Sequence, residues 1–264
     1  MKSLILTLLL IPTICFADKP SLTNINASDL EKISKEFSAN FTHTVGADAG
    51  TLGNIFGFEV GVLAGVTDSP EFKKLVKEVD SSKDIGYIPH ANLIAQLTIP
   101  FGITGELALI PETDISDITI SNYSAAVRWT FGDLVGLPFD LAVRGHFSSN
   151  EISYKDTLSG SVESTVSFET STYGAQLLAS FSALPVITPY GGVGFVSAST
   201  DAKVEGSGTI FDTTFTTSQT AKSDNSSFHL TAGLNVSLLI LKMGLEYSNM
   251  FDTNKYSFKL AFGF

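Results

Sequence analysis

The sequence is poor in charge, in proline and in cysteine, and each scarcity narrows what the chain can be. Charged residues are 16% of 264, against about 25% in soluble domains. The one cysteine, Cys15, permits neither a disulfide framework nor a thiolate metal site. Basic residues are the scarcer sign, 16 Lys+Arg against 27 Asp+Glu, a net charge of −11. A surface of that sign excludes a nucleic-acid partner, because phosphate binding needs clustered cations. Also missing, beyond the first 17 residues, is any run approaching the ~20 apolar residues of a membrane helix, although 44% of the chain is hydrophobic. Twenty Phe and 22 Gly against nine Pro point instead to many short strands and tight turns, and exclude disorder.

The first segment reads as an address label. Lys2 precedes an apolar stretch from Leu4 to Ile14, broken by Pro12, and Cys15-Phe16-Ala17 puts small residues where a secretory signal is cleaved. Residues 1–17 are therefore expected to be a cleaved signal peptide, taking the only thiol with them. Ile14 is too bulky to precede a lipid-modified Cys15.

Residues 18–53 form a separate unit on the periplasmic side or in the lumen. Ser28-Asp29-Leu30-Glu31 fits a capping box, and Leu30, Ile33, Phe37 and Phe41 then fall on one stripe of a helix over about 28–41. This stripe is expected to dock as a plug or gate at the periplasmic mouth of the domain built from residues 54–264, with both chain ends on the periplasmic side.

From residue 54 the period switches to two. Tyr256, Phe258, Leu260, Phe262 and Phe264 alternate with Ser257, Lys259, Ala261 and Gly263. The same parity recurs through Leu93, Val127, Leu141, Leu177 and Leu234 in segments of about ten residues, the length of a tilted membrane strand. Aromatics gather at segment ends, as interfacial girdles require. In hydrocarbon, strands can span only as a closed barrel. The predicted fold is all-β, a closed antiparallel transmembrane β-barrel over 54–264. Its ten strands run about 54–66, 91–100, 102–110, 119–131, 138–149, 169–182, 188–199, 227–238, 240–249 and 255–264, with eight or twelve as alternatives. Short links alternate with long polar ones at 67–90, 111–118, 149–170 and 199–226; the last reads as a hairpin rising above the membrane, and Glu71 to Asp80 as a short amphipathic helix in an outer loop.

On the signal peptide, the dyad strands and the terminal Tyr256–Phe264 pattern, the chain resembles the outer-membrane β-barrel proteins of Gram-negative bacteria. The resemblance implies export to the bacterial outer membrane and contact with its lipid and lipopolysaccharide. It also implies that the last strand, ending in Phe264, is the signal read by the insertion machinery. In its helix alone, the region before the barrel is similar to the plugged hydrophobic-substrate channels of the fatty-acid transporter type.

Parity sends Glu59, Glu106, Arg128, Arg144, His146, His229, Lys242, Glu246 and Lys259 to the lumen. Charges at membrane depth are costly unless they face the interior and pair. A narrow, salt-bridged interior is expected rather than a wide pore. His146-Phe147-Ser148 resembles the His-x-Ser pair of a small lipid A deacylase barrel, but it faces inward here, and Ser149 intervenes before Asn150. No catalytic, metal or cofactor site is therefore expected, and the chain is not read as an enzyme. The functional expectation is a monomeric narrow or gated channel for small solutes, hydrophobic ones included. The alternative is a closed structural or surface-interaction barrel presenting acidic extracellular loops, and the remote alternative a lipid-modifying barrel enzyme.

Overall fold

In the computed structural model, residues 27–53, 55–79, 86–115, 118–132, 136–158, 162–182, 184, 186–210 and 213–264 are described. The expected signal peptide lies outside them. The order is α1 (Ala27–Phe41), β1 (Gly57–Asp68), α2 (Pro70–Val79), β2 (Tyr87–Ile99), β3 (Ile103–Ile115), β4 (Ile118–Thr130), β5 (Asp140–Leu158), β6 (Val162–Ser180), β7 (Ile187–Ile210), β8 (Thr213–Leu238), β9 (Leu241–Met250) and β10 (Thr253–Gly263). Each strand pairs antiparallel with its sequence neighbours, and β1 closes on β10, with Val60 opposite Phe262 on one side and Ala95 on the other. Ten strands close the barrel among the described residues, so no edge is left open to hydrocarbon.

The alternation seen in the sequence sorts residues by side. Phe58, Leu93, Val127, Leu177, Leu234 and Phe258 are exposed on the outside, while Glu59, Gln96, Arg128, Arg144, Gln176 and Lys259 are buried inside. The molecule is apolar without and polar within, the inverse of a soluble domain. Aromatic pairs mark both rims: Phe58 with Phe264 and Trp129 with Phe131 at one end, Tyr247 with Tyr256 and Phe195 with Phe228 at the other. The first rim, where the chain turns at 100–102 and 239–240, is called the turn end. The second, where the tall β5–β6 and β7–β8 hairpins and the connection 69–86 rise, is called the hairpin end.

Two expectations require correction. The strands do not stop at the predicted limits: β5 and β6 pair as far as Leu158 and Val162, and β7 and β8 as far as Ile210 and Thr213. Above the membrane no lipid imposes an apolar face, so these Thr- and Ser-rich extensions lack the membrane-strand pattern while keeping β-forming residues. The helix, predicted over 28–41 and found over Ala27–Phe41, is not at the turn end. Its Ile33, Phe37 and Phe41 pack with Ile88, Phe72, Ile120 and Ile152, all at the hairpin end. From there residues 42–53 descend through the lumen to the turn end. The described chain thus begins, at Ala27, at the end opposite Phe264, and residues 1–26, on which the expectation that both chain ends share a side rests, lie outside the described residues.

Candidate functional site: the plugged lumen

The site is the interface between the barrel wall and the segment 27–53 that fills it. At the hairpin end, α1 is held by its apolar stripe, with Phe37 against Phe168 (5.6 Å between ring centres) and Phe72 (5.9 Å). Of the predicted plug residues, Ile33, Phe37 and Phe41 are buried in this cluster, while the side chain of Leu30 lies outside the described set. Polar bonds flank the stripe: Ser34 Oγ donates to Ser223 Oγ (2.9 Å), and Asn225 Nδ2 donates to Ser34 Oγ (3.0 Å). The Glu36 carboxylate accepts the backbone N–H groups of Glu71 (2.8 Å) and Phe72 (2.9 Å), the first turn of α2. Burial raises the Glu36 carboxyl from its ordinary value to about 7, against the lowering effect of those two bonds.

Below the helix the wall takes over the orphan carbonyls of its last turn. Lys255 Nζ donates to the carbonyls of Asn40 (2.8 Å) and Thr42 (2.9 Å), and Asn40 Oδ1 is shared by Thr67 and His90. Lys255, His90, Asn40 and His43 were not in the predicted luminal set. Lys255 was legible: it continues the inward face of Ser257 and Lys259.

At mid-depth the predicted charges assemble into networks. Glu106 is buried and meets Arg128 Nε (3.3 Å), Arg144 Nη1 (3.7 Å) and His43 Nε2 (3.2 Å). Arg144 also donates to Gln176 Oε1, whose Nε2 donates to Thr231 (3.0 Å). Glu246 accepts from Tyr190 OH (2.9 Å) and from Thr44 of the plug. Nearer the turn end Lys259 pairs with Glu59 at 3.0 Å. An apolar waist of Val45, Ala47, Leu63, Ile94, Ala108 and Ala261 seals the plug between these networks.

All four histidines of the chain are luminal and buried. The His146 ring lies over Gly174, where a Cβ would come within 2.6 Å of its Nε2, and it neighbours the rings of His43 (6.3 Å) and His229 (5.9 Å). Neither of its nitrogens has a hydrogen-bond partner among the described residues. Ser148 instead bonds Thr172 at 2.6 Å. Among the described residues no group of three or more His, Cys, Asp and Glu is arranged to hold a metal ion.

The lower plug is tied by backbone bonds. Asp48 O accepts from Arg128, Ala49 O from Thr130 Oγ1 (2.7 Å), and Ala49 N donates to Ser180 Oγ (3.2 Å). A polar cavity of about 170 Å³ remains at the turn-end mouth, where Lys242 joins Asp48, Glu59, Arg128 and Lys259. Of the predicted terminal set, Tyr256, Phe258, Phe262 and Phe264 are exposed on the exterior of β10, and Leu260 is half-buried there.

Solved structures of Gram-negative outer-membrane β-barrels are similar to the chain at low identity and low TM-score. The attachment invasion locus protein Ail of Yersinia pestis is 14% identical, over 79% of this chain and 97% of its own, with a TM-score of 0.31. The translocator domain of the autotransporter NalP from Neisseria meningitidis is 11% identical, over 90% and 95%, at 0.39. The toluene transporter TbuX of Ralstonia pickettii is 5% identical, over 86% and 96%, at 0.34. No curated protein matches the chain in sequence. The family model described as a family of unknown function, DUF6588, matches residues 1–264, and the chain belongs to that family.

Proposed function

We propose that the protein is a gated outer-membrane channel for small solutes, and that residues 27–53 are its gate. One observation carries this reading. The lumen holds a separate stretch of chain, residues 27–53, seated among the side chains of its own wall. Barrels of about eight strands fill themselves with side chains, whereas this one accommodates a helix, whose diameter is about 10 Å. The wall facing the segment is lined by Gln96, Thr98, Arg128, Arg144, Gln176 and Glu246, groups that water can solvate once the segment leaves. The lower lumen therefore suits small polar solutes. An apolar solute would find matching surface where Ile33, Phe37 and Phe41 meet Ile88, and on the wall side of the waist at Leu63 and Ile94.

Removing residues 27–53 should convert a silent barrel into a conducting one in planar bilayers. Heat-modifiable migration of the same preparation reports that the barrel has folded. A folded but silent truncated barrel defeats the channel reading and leaves the structural, surface-presenting barrel.

The long hairpins are taken to face the cell exterior, as in the group the chain resembles, and this orientation has its own test. Lys32, whose side chain is 47% exposed, should react with a membrane-impermeant amine reagent on intact cells, read peptide by peptide in a mass spectrometer. Lys242, at the turn end, should react only after lysis. The reverse pattern would invert the barrel in the membrane.

A further inference from the structure

The gate is fastened at its outer end to a loop helix rather than to the wall alone. Both oxygens of Glu36 are committed to α2, one to the N–H of Glu71 and one to that of Phe72. They occupy amides that a helix start leaves unpaired. Around this grip Phe37 meets Phe72 edge to face, and Lys32 Nζ lies 3.7 Å from Glu71. The helix α2 belongs to the connection between β1 and β2, outside the membrane-spanning strands, so anything that shifts it acts on α1 directly.

We propose that α2 is a latch for the gate, holding α1 in the closed barrel through the grip of Glu36 on its first backbone amides, and that this latch loosens as the medium goes from acid to neutral. The inference rests on the reading of residues 27–53 as a removable plug. The carboxyl is buried with its two amides and titrates at about 7 when latched, against 4.5 ordinarily. The latched state therefore binds the proton more tightly than the released state. Acid favours latching, and the stabilisation is lost as pH rises through 7.

The charges acting on Glu36 from α2 are Glu71, which raises its titration point, and Lys74, which lowers it. Glu71 itself is held below its ordinary value by its bond to Lys74, so it stays ionised throughout the range. On α1, Lys32 faces Glu71 and Lys35 pairs with Glu31 at 3.0 Å. The wall groups that bond α1 here are neutral, Ser223 and Asn225 of β8. His90 of β2 and Lys255 of β10 bond one turn further on, at Asn40.

The test uses the full chain in liposomes, with Cys15→Ser and a reporter Ser34→Cys at a fully buried position of α1. Its modification rate by a membrane-impermeant maleimide is divided by that of Asp224→Cys, on the exposed face of β8, to cancel the reagent's own pH dependence. The normalised rate should rise about tenfold between pH 6 and pH 8, the ratio implied by titration at 4.5 released and 7 latched. With Glu36→Gln, which carries no titratable proton, the rise should vanish, which also separates Glu36 from His90 and Lys255. A flat or falling profile in the Ser34→Cys protein, or an unchanged rise in the Glu36→Gln background, overturns the latch. Current measured across the same membranes keeps the two readings apart. Labelling that rises while the barrel stays silent at every pH sinks the channel and leaves the latch standing.

Discussion

Glu106→Ala should be the most damaging single substitution in the lumen, lowering barrel stability by about 3–5 kcal/mol. The side chain is fully buried between two guanidinium groups, Arg128 at 3.3 Å and Arg144 at 3.7 Å, with His43 of the luminal segment at 3.2 Å. Its removal leaves two cations at membrane depth with one anionic partner fewer. The cost is that of uncompensated charge more than of a lost contact. Two further variants separate these terms. Glu106→Gln retains a hydrogen-bonding group of similar size and should fall between alanine and the parent if charge dominates. Adding Arg128→Met to Glu106→Ala should recover part of the loss, since neighbouring members of one network are not additive. Urea unfolding of the reconstituted barrel reads all three. A Glu106→Ala shift below about 1 kcal/mol would mean that water solvates the network and that the mid-lumen is not a dry seal.

The same residues show how far the sequence could be read. Where lipid faces the barrel, every second side chain must be apolar, so parity along Tyr123, Ala125, Val127 and Trp129 identified both the strand and its outward face and by subtraction placed Arg128 inside, as parity along Phe139, Leu141, Val143 and Phe147 placed Arg144. The stripe of Ile33, Phe37 and Phe41 revealed a docked helix for a similar reason: an isolated helix of 15 residues is marginal in water without a packed face. The location of its docking site was not legible. The partners Phe72, Ile88, Ile120, Ile152 and Phe168 come from five separate elements, and no local pattern joins them. The link of Glu36 to α2 was equally hidden, because a carboxylate capping a distant helix leaves no mark at either position. The tall β5–β8 hairpins escaped for the opposite reason. Beyond the lipid their residues obey cross-strand pairing alone, which tolerates Ser, Thr and Lys on either face.

A charge on the lipid side should be costly where the same charge one residue further along is native. Val127 is 60% exposed on the exterior and lies between Tyr123 and Trp129, within the apolar band. Its register partners, Gly105 on β3 and Gly145 on β5, carry no side chain that could pair with a charge at 127. An arginine there would find no anionic partner on either and would have to be solvated by lipid headgroups drawn inward. Val127→Arg should therefore cost about 2–4 kcal/mol in a bilayer, the range for a cation near the midplane. Val127→Leu should be close to neutral. Moving the arginine to Tyr123 at the hairpin-side girdle should bring the penalty down to about 0–1 kcal/mol, because the side chain can reach the interface. This depth dependence distinguishes a barrel embedded in lipid from one whose apolar exterior is covered by another protein. A covered face would penalise bulk and charge alike, so Val127→Leu would also be destabilising. Equal penalties for arginine at 123 and 127, in unfolding titrations from the same vesicles, would place the membrane elsewhere on the barrel.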